Sequence, residues 1–442
     1  MLNKVQLSSK IKPLSIEKIS KETNFSLRTG SKVDASSLLT SFFMMISKRQ
    51  NSLLSWAAEF TQLTGKLITD KGIESALVGR REEFAKKLLE HVIEKDLEKE
   101  CDYELAIVGV ERFNKVYIED STCFSLPSML HEYFKGPNSP IGSKVATAKV
   151  QLRLELKTGK YTRIELQSFR DNDQKFSPDI LSQVEQNDLV IRDLGYSVLK
   201  VFRKLDEKGA FFLSHLKSGT SIFNMETEAK VNLAKLLRKA TRKRKKVLEV
   251  DVLLGAKEKL AVRLVAVKAS NKVARKRREL AKKDRHSKAN HSKEYLELLG
   301  WTLMITNIPE TVLSARELLK IYGYRWRIEI IFKAWKSSIG FDKFFSNKRR
   351  MKKERAIISF YFMLIWLTLF LTGWYQYFQK RVYEKANKFI SLLKFAKFAL
   401  MNFERLVMTK DLSDWTQMIK FNCVYDSRKK YLNSCEKMYL FE

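Results

Sequence analysis

Apolar residues recur at three- and four-residue spacing over the first hundred residues. The pattern is clearest in SLLTSFFMMISKRQNSLLSWAAEF, residues 37–60, and in REEFAKKLLEHVIEKDLEKE, residues 81–100. This period is typical of amphipathic helices that bury one face. Residues 1–103 are therefore predicted to be a helical N-terminal domain. Its scattered Lys and Arg side chains suit contact with DNA or with another protein.

Alternation of polar and apolar residues replaces this pattern from about residue 104. In VATAKVQLRLELKTGKYTRIELQSF, residues 145–169, two alternating halves flank Thr158-Gly159-Lys160, which predicts a β-hairpin. Short apolar strands follow in residues 187–197 and 209–219, with a helical pattern between them. Strands interspersed with helices predict an α/β sheet domain over residues 104–218.

Residues 219–300 form a block of a different kind. VLEVDVLLG and LAVRLVAVKA predict a second β-hairpin, and the basic runs RKATRKRKK and KVARKRRELAKKDRHSK flank it. Such runs are commonly solvated faces, but beside a hairpin in a basic chain they also suit a grip on nucleic acid. One more strand, WTLMITNIP, and a long helical tail follow. Residues 301–380 are predicted to be the second part of the core domain, and residues 381–442 a helical C-terminal region that could support dimerisation.

The net charge narrows the choice of partner. Lys and Arg number 83 and Asp and Glu number 50, for a formal charge of +33. A polyanion, most commonly nucleic acid, is the expected partner. The 28 Phe, 15 Tyr and 7 Trp exclude a fully disordered chain, and the four cysteines contain no close-spaced pair that would indicate a zinc site.

One apolar run allows two interpretations. Residues 356–374, AIISFYFMLIWLTLFLTGW, carry no charge and are about as long as the shortest membrane-spanning helix. The alternatives are a membrane span and a helix buried in the core of a large domain. The candidate chemistry immediately upstream favours the buried helix.

Two predicted strands carry a carboxylate close to their ends. Asp120 follows VYIE, and Asp193 follows LVIR. Polar groups at the carboxyl ends of sheet strands commonly form ligand sites, although an Asp in such a place is also a common turn residue. The neighbouring Glu119 and Asp188 could take the place of either aspartate, and strand periodicity does not decide between them.

The third candidate carboxylate lies in YGYRWRIEIIFKAWK, residues 322–336. On a continuous helix, Tyr322, Arg325, Glu329 and Lys336 would share one stripe beside an apolar face. A simple Arg325–Glu329 salt bridge is the alternative. Three converging carboxylates without Cys or His would repel one another unless a hard cation such as Mg²⁺ or Mn²⁺ neutralised them. Two such ions suit phosphodiester cleavage.

The spacing Y-x2-R-x3-E-x6-K of these four residues resembles the signature of the DDE transposases of the insertion-sequence-four group. Asp120-Ser121-Thr122 resembles the first-Asp motif of that group. Asp193-Leu194-Gly195-Tyr196 resembles its second-Asp motif. The resemblance extends over about residues 20–400.

The resemblance implies a ribonuclease H-like α/β catalytic core, interrupted by a β-rich insertion at 219–300 and joined to helical N-terminal and C-terminal regions. It implies cut-and-paste DNA transposition in which Asp120, Asp193 and Glu329 hold two Mg²⁺ or Mn²⁺ ions. Tyr322, Arg325 and Lys336 would contact phosphates. Trp301 would stack on a flipped base during a hairpin intermediate; otherwise it is a core aromatic.

The implied partners are double-stranded DNA, as terminal inverted repeats and as target, and a second copy of the chain. We expect no membrane association, and action in the bacterial cytoplasm at the nucleoid. Two other classes compete: a basic DNA-binding protein without catalysis, and a membrane protein built around residues 356–374.

Overall fold

The computed structural model describes residues 15–26, 31–98, 107–138, 142–283, 292–346, 351–409 and 411–426. The strands are β1 Val116–Leu126, β2 Ala146–Glu155, β3 Tyr161–Ser168, β4 Leu189–Arg192, β5 Phe211–His215, β6 Ile222–Asn224, β7 Val247–Leu254, β8 Leu260–Lys268 and β9 Trp301–Thr306.

Helices precede, separate and follow these strands. They are α1 Ile16–Glu22, α2 Ala35–Ser47, α3 Leu53–Thr64, α4 Asp70–Ala76, α5 Gly79–Glu98, α6 Asp173–Phe176, α7 Leu199–Glu207, α8 Leu233–Arg242, α9 Asn271–Lys283, α10 Lys293–Leu298, α11 Ala315–Gly323, α12 Trp326–Lys333, α13 Phe341–Ser346, α14 Lys353–Trp366, α15 Gly373–Ala386, α16 Leu392–Met401, α17 Phe403–Met408 and α18 Thr416–Asn422. In the described parts of the predicted helical N-terminal and C-terminal regions the regular elements are helices, joined by loops, and one isolated β-bridge links Ile390 to Val424.

The chain divides into two compact units, each discontinuous in sequence. Unit I consists of residues 106–120 and 172–326, and unit II of residues 1–105, 121–171 and 327–442.

Unit I is built on a mixed sheet with the strand order β1-β4-β5-β9-β8-β7-β6. β1 runs parallel to β4, and β4 runs parallel to β5. The remaining neighbours are antiparallel, including the predicted hairpin of β7 and β8. Buried parallel strands need apolar residues on both faces, which explains the continuous apolar runs of β4 and β5. α7 and α8 bury Phe202 and Leu237 in the same apolar core as Val190 and Phe212.

The predicted hairpin of the basic block, β7 and β8, belongs to this sheet. β8 pairs with β9 from Arg263–Thr306 to Lys268–Trp301, so its hairpin extends the sheet beyond β9. α9 carries the second basic run as far as Lys283; the remainder of that run lies outside the described residues.

Unit II contains the predicted hairpin of β2 and β3, which are antiparallel from Ala148–Ser168 onwards. Its helices bury many aromatic side chains. Phe42 lies 4.9 Å from Trp56 between ring centroids, and Phe345 stacks on Phe360 at 4.1 Å. The high aromatic content noted in the sequence therefore serves a helical core.

The apolar run 356–374 lies within one continuous helical stretch, Lys353–Ala386, which consists of α14, a π-helical segment and α15. Among the described residues it is the one helix long and apolar enough to cross a membrane by length and composition alone. Its most apolar window is 83% buried inside the protein. Phe362, near its middle, packs against Phe42, Trp56 and Phe84 of unit II. These contacts are those of a core helix.

Candidate active site

Asp120 and Asp193 emerge at the same level of two adjacent parallel strands in unit I. The ladder between β1 and β4 includes the pair Glu119–Arg192, and each aspartate is the next residue of its strand. Asp193 lies just beyond the end of β4, as predicted. Asp120, by contrast, is not at a strand end, because β1 continues to Leu126. What ends just before Asp120 is the pairing of β1 with β4, not β1 itself.

One guanidinium lies between these two carboxylates. Nη1 of Arg325 is 3.0 Å from Oδ2 of Asp120, and its Nε is 4.0 Å from Oδ1 of Asp193. The Asp120 side chain is 20% exposed and that of Asp193 is 41% exposed, so both can be reached from solvent. Arg325 supplies the positive charge that two converging carboxylates need.

The residues that precede the aspartates form a different pair. Glu119 and Arg192 are fully buried, and their charged groups lie 2.6 Å apart. Arg192 also donates to the hydroxyl and the carbonyl of Ser177, at 2.6 and 2.7 Å. Glu119 is thus held in an internal ion pair and is a weaker candidate ligand than Asp120.

Asp188 has a structural role at the start of β4. It is fully buried and accepts hydrogen bonds from the backbone N–H groups of Lys115 and Glu185, at 3.0 and 2.9 Å. Burial raises the pKa of this carboxyl, while the two backbone donors act in the opposite direction. These bonds join the entries to β1 and β4, and they favour Asp193 as the accessible carboxylate.

The predicted continuous helix over residues 322–336 is wrong. α11 ends at Gly323 and α12 begins at Trp326. The N–H of Tyr324 donates to the carbonyl of Ile321, and the N–H of Arg325 donates to the carbonyl of Tyr322. These bonds to the third residue back, as in a 3₁₀-helix, replace the α-helical bonds to the fourth. The buried Tyr324 hydroxyl donates to the carbonyl of Val108 at 3.0 Å, which anchors the turn. The break turns Arg325 towards the aspartates.

Tyr322 lies beside Arg325: the guanidinium carbon of Arg325 is 6.0 Å from the centroid of the Tyr322 ring. Burial raises the pKa of Tyr322 to about 12, so its hydroxyl keeps its proton at neutral pH. The group can donate a hydrogen bond to an anion.

Glu329 and Lys336 belong to unit II. Glu329 lies in the first turn of α12, and Lys336 lies in the π-helical segment that follows α12. The Lys336 ammonium is 5.1 Å from the ring centroid of Phe124, also in unit II. In the parts of the chain that the structure describes, no three Asp, Glu, His or Cys side chains gather as a metal-binding group. Within unit I the structure brings together Asp120, Asp193 and Arg325.

The pair Asp120 and Asp193 nevertheless fits a divalent cation. Both offer hard oxygen ligands, which Mg²⁺ and Mn²⁺ prefer. The Arg325 guanidinium already stands between them as a cation, so their charge is arranged for a positive partner.

Trp301 opens β9 and is 3% exposed. It lines a cavity of about 710 Å³ in unit I, together with Leu194, His215 and Arg277. Arg277 donates to the Trp301 carbonyl at 3.1 Å. A core aromatic and a residue that stacks on a flipped base were the alternatives for Trp301; its burial is that of a core aromatic, and the stacking role stays a prediction.

His215 belongs to this site and was missed from the sequence. Arg192 pairs with Ser214 between β4 and β5, so His215 emerges at the level of Asp193. The signal available was the strand pattern of residues 209–219, which placed a His near the carboxyl end of a third strand. Without the strand order, nothing in the sequence identified that strand as the neighbour of β4.

Comparison with known proteins identifies the family of the chain. Residues 111–367, more than half of the chain, match the family described as transposase DDE domain. The chain is 25% identical to the transposase for insertion sequence element IS231B of Bacillus thuringiensis subsp. berliner, over 81% of this chain and 77% of that protein. It is 26% identical to the transposase for insertion sequence element IS1151 of Clostridium perfringens, over 80% of this chain and 76% of that protein.

A DDE domain implies a ribonuclease H-like core, with which the mixed sheet and its flanking helices are consistent, and such domains generally use divalent metal ions. The chain therefore belongs to the transposase DDE domain family and is an enzyme that cleaves DNA and transfers its strands.

Proposed function

We propose that this transposase moves an insertion sequence by a cut-and-paste route and belongs to the insertion-sequence-four group. The observation that carries the proposal is the placement of Asp120 and Asp193 on adjacent strands around Arg325. The Y-x2-R-x3-E-x6-K spacing from Tyr322 to Lys336 supports it.

Asp120 and Asp193, with Glu329 as third ligand, would hold two Mg²⁺ or Mn²⁺ ions. When bound, such ions activate the attacking hydroxyl and stabilise the leaving oxygen at a phosphodiester. Arg325 balances the two aspartates without metal and would contact a phosphate once a cation takes over that task. Tyr322 would donate to a phosphate oxygen, because its raised pKa keeps the hydroxyl protonated.

The DNA chemistry then needs no covalent link to the protein. Hydrolysis nicks one strand at each end of the element, and the freed 3′-hydroxyl attacks the opposite strand to form a hairpin. Water reopens the hairpin, and both 3′ ends attack target DNA. Trp301, on the wall of the 710 Å³ cavity, would stack on a base that leaves the helix during hairpin formation.

Double-stranded DNA would be bound as terminal inverted repeats and as target by a homodimer that acts at the nucleoid in the cytoplasm. We propose that the insertion of residues 219–300 grips its phosphates. α8 buries Leu233 and Leu237 in the core and exposes Lys239 and Arg242. No acidic residue occurs from 229 to 248, and none of the Lys or Arg side chains in that described stretch is ion-paired with an acidic side chain.

Replacing Lys239, Arg242 and Lys243 by Gln should weaken DNA binding and reduce its salt dependence. If each side chain neutralises one phosphate, the slope of log K against log salt falls by about 3, at roughly 0.9 for each contact. Electrophoretic mobility shifts over a salt series measure it. The matched control replaces the exposed Lys385, Lys388 and Lys397 of unit II. An unchanged slope in the α8 variant, or an equal fall in the control, would exclude a particular role for α8.

The cut-and-paste route is tested with the encoding gene in its native flanking DNA, end-labelled. Wild-type protein with Mg²⁺ should cut at both flanks and yield a hairpin on a denaturing gel; EDTA should prevent both. Metal-independent binding without cuts would instead indicate a DNA-binding protein without catalysis. Cuts at both flanks without a hairpin product would still indicate a transposase but would exclude the hairpin intermediate.

A further inference from the structure

We propose that His215 is a positioning residue for DNA cleavage, which fixes the ring of Tyr322 so that its hydroxyl meets the phosphate. The inference rests on the proposed role of Tyr322 as a phosphate contact. It adds a third strand, β5, to the two strands that carry the aspartates.

The sheet places His215 at the edge of the site. Glu119 pairs with Arg192, and Arg192 pairs with Ser214. The next residues of the three parallel neighbours β1, β4 and β5 are Asp120, Asp193 and His215. Carboxyl ends of parallel strands present their side chains to one crevice, so His215 is presented with the carboxylates.

His215 contacts Tyr322 directly. The two ring centroids lie 4.3 Å apart at an interplanar angle of 69°, an edge-to-face arrangement. Tyr322 is the penultimate residue of α11, which ends at Gly323, and the turn at Tyr324 and Arg325 follows directly. Contact with the His215 ring therefore restricts the Tyr322 side chain, which lies in the last turn of α11.

The imidazole is itself fixed. Its Nδ1 lies 2.9 Å from the carbonyl oxygen of Leu303 on β9, and since a carbonyl only accepts, Nδ1 carries the proton. This bond joins the end of β5 to the neighbouring strand β9. The bond fixes the orientation of the imidazole ring, and contact with this ring in turn restricts the orientation of the Tyr322 ring.

The charges around His215 suit a neutral ring. Burial lowers its pKa most, and Arg277 and Arg325 lower it further, whereas the bond to Leu303 and the charge of Asp193 raise it. A neutral imidazole neither repels Arg325 nor competes with it for Asp193. A permanently positive side chain in this place would repel Arg325 or would compete with it for Asp193.

A double-mutant cycle tests the inference. His215→Ala should lower the cleavage rate at saturating DNA by about 10-fold, because small misplacements of a contact group cost up to roughly 100-fold. The Kd for DNA should stay within about 2-fold. In the Tyr322→Ala background, His215→Ala should have no further effect, because the side chain through which it acts is gone. His215→Phe, which keeps a ring, should cleave faster than His215→Gln, which does not.

Each outcome decides one point. If His215→Ala lowers the rate equally with and without Tyr322, His215 acts independently and the inference fails while the phosphate role of Tyr322 stands. If Tyr322→Ala alone cleaves at the wild-type rate, the phosphate role itself fails and the inference fails with it. If His215→Ala does not fold, as judged by its melting transition, the cycle is run with Phe and Gln. Equal rates for those two variants would then overturn the inference.

Discussion

Asp193→Asn is expected to abolish metal-dependent DNA cleavage while DNA binding persists. The amide keeps the shape of the side chain but loses the charge that attracts a divalent cation. The loss should exceed about 100-fold, since changes even to residues that only support metal ligands cost 10–100-fold. Asp120→Asn should do the same, because both carboxylates contact the single Arg325 cation.

The matched control for this prediction is Asp251→Asn. Asp251 is an exposed aspartate of β7 in the same unit and lies opposite Arg263 in the β7–β8 ladder. Its replacement should leave cleavage unchanged. Cleavage at the wild-type rate in Asp193→Asn, with control and variant equally folded, would remove Asp193 from the site.

Glu119→Gln is expected to destabilise the protein strongly. The change removes the charge that lies 2.6 Å from the fully buried Arg192 guanidinium, while the two bonds from Arg192 to Ser177 are kept. Breaking one side of a buried ion pair costs about 3–5 kcal/mol of unfolding free energy. Urea denaturation monitored by circular dichroism measures the difference. Cleavage should fall as well, because Asp120 and Asp193 follow directly on the paired residues.

The double variant Glu119→Leu with Arg192→Met provides the control. Replacing both charges by apolar groups of similar size removes the unpaired charge and should restore most of the lost stability. If Glu119→Gln is as stable as wild type, the pair does not hold β1 against β4. If the double variant is less stable than Glu119→Gln, apolar side chains cannot fill the space.

Much of the fold follows from local patterns in the sequence. The hairpin around Thr158-Gly159-Lys160 and the helix α7 have the predicted character, because alternation and helical spacing record which face is buried. The short strand that precedes Asp193 was predicted in the same way, from the apolar run of residues 189–191.

Tertiary contacts decided the rest. The break between α11 and α12 depends on a hydrogen bond from Tyr324 to Val108, more than two hundred residues away in sequence, and helical periodicity cannot register it. The choice between Glu119 and Asp120 depended on Arg192, which only the strand register places opposite Glu119. His215 needed the order of β4 and β5.

We propose that Glu329 acts with Asp120 and Asp193 at one metal-dependent site. This proposal is tested most directly by strand cleavage of the end-labelled gene and its native flanks, with Mg²⁺ or EDTA, by wild type, Glu329→Gln and the exposed control Glu384→Gln. We predict cuts at both flanks by wild type and control with Mg²⁺, and uncut but bound DNA with Glu329→Gln. Cleavage by Glu329→Gln at the wild-type rate would contradict the account.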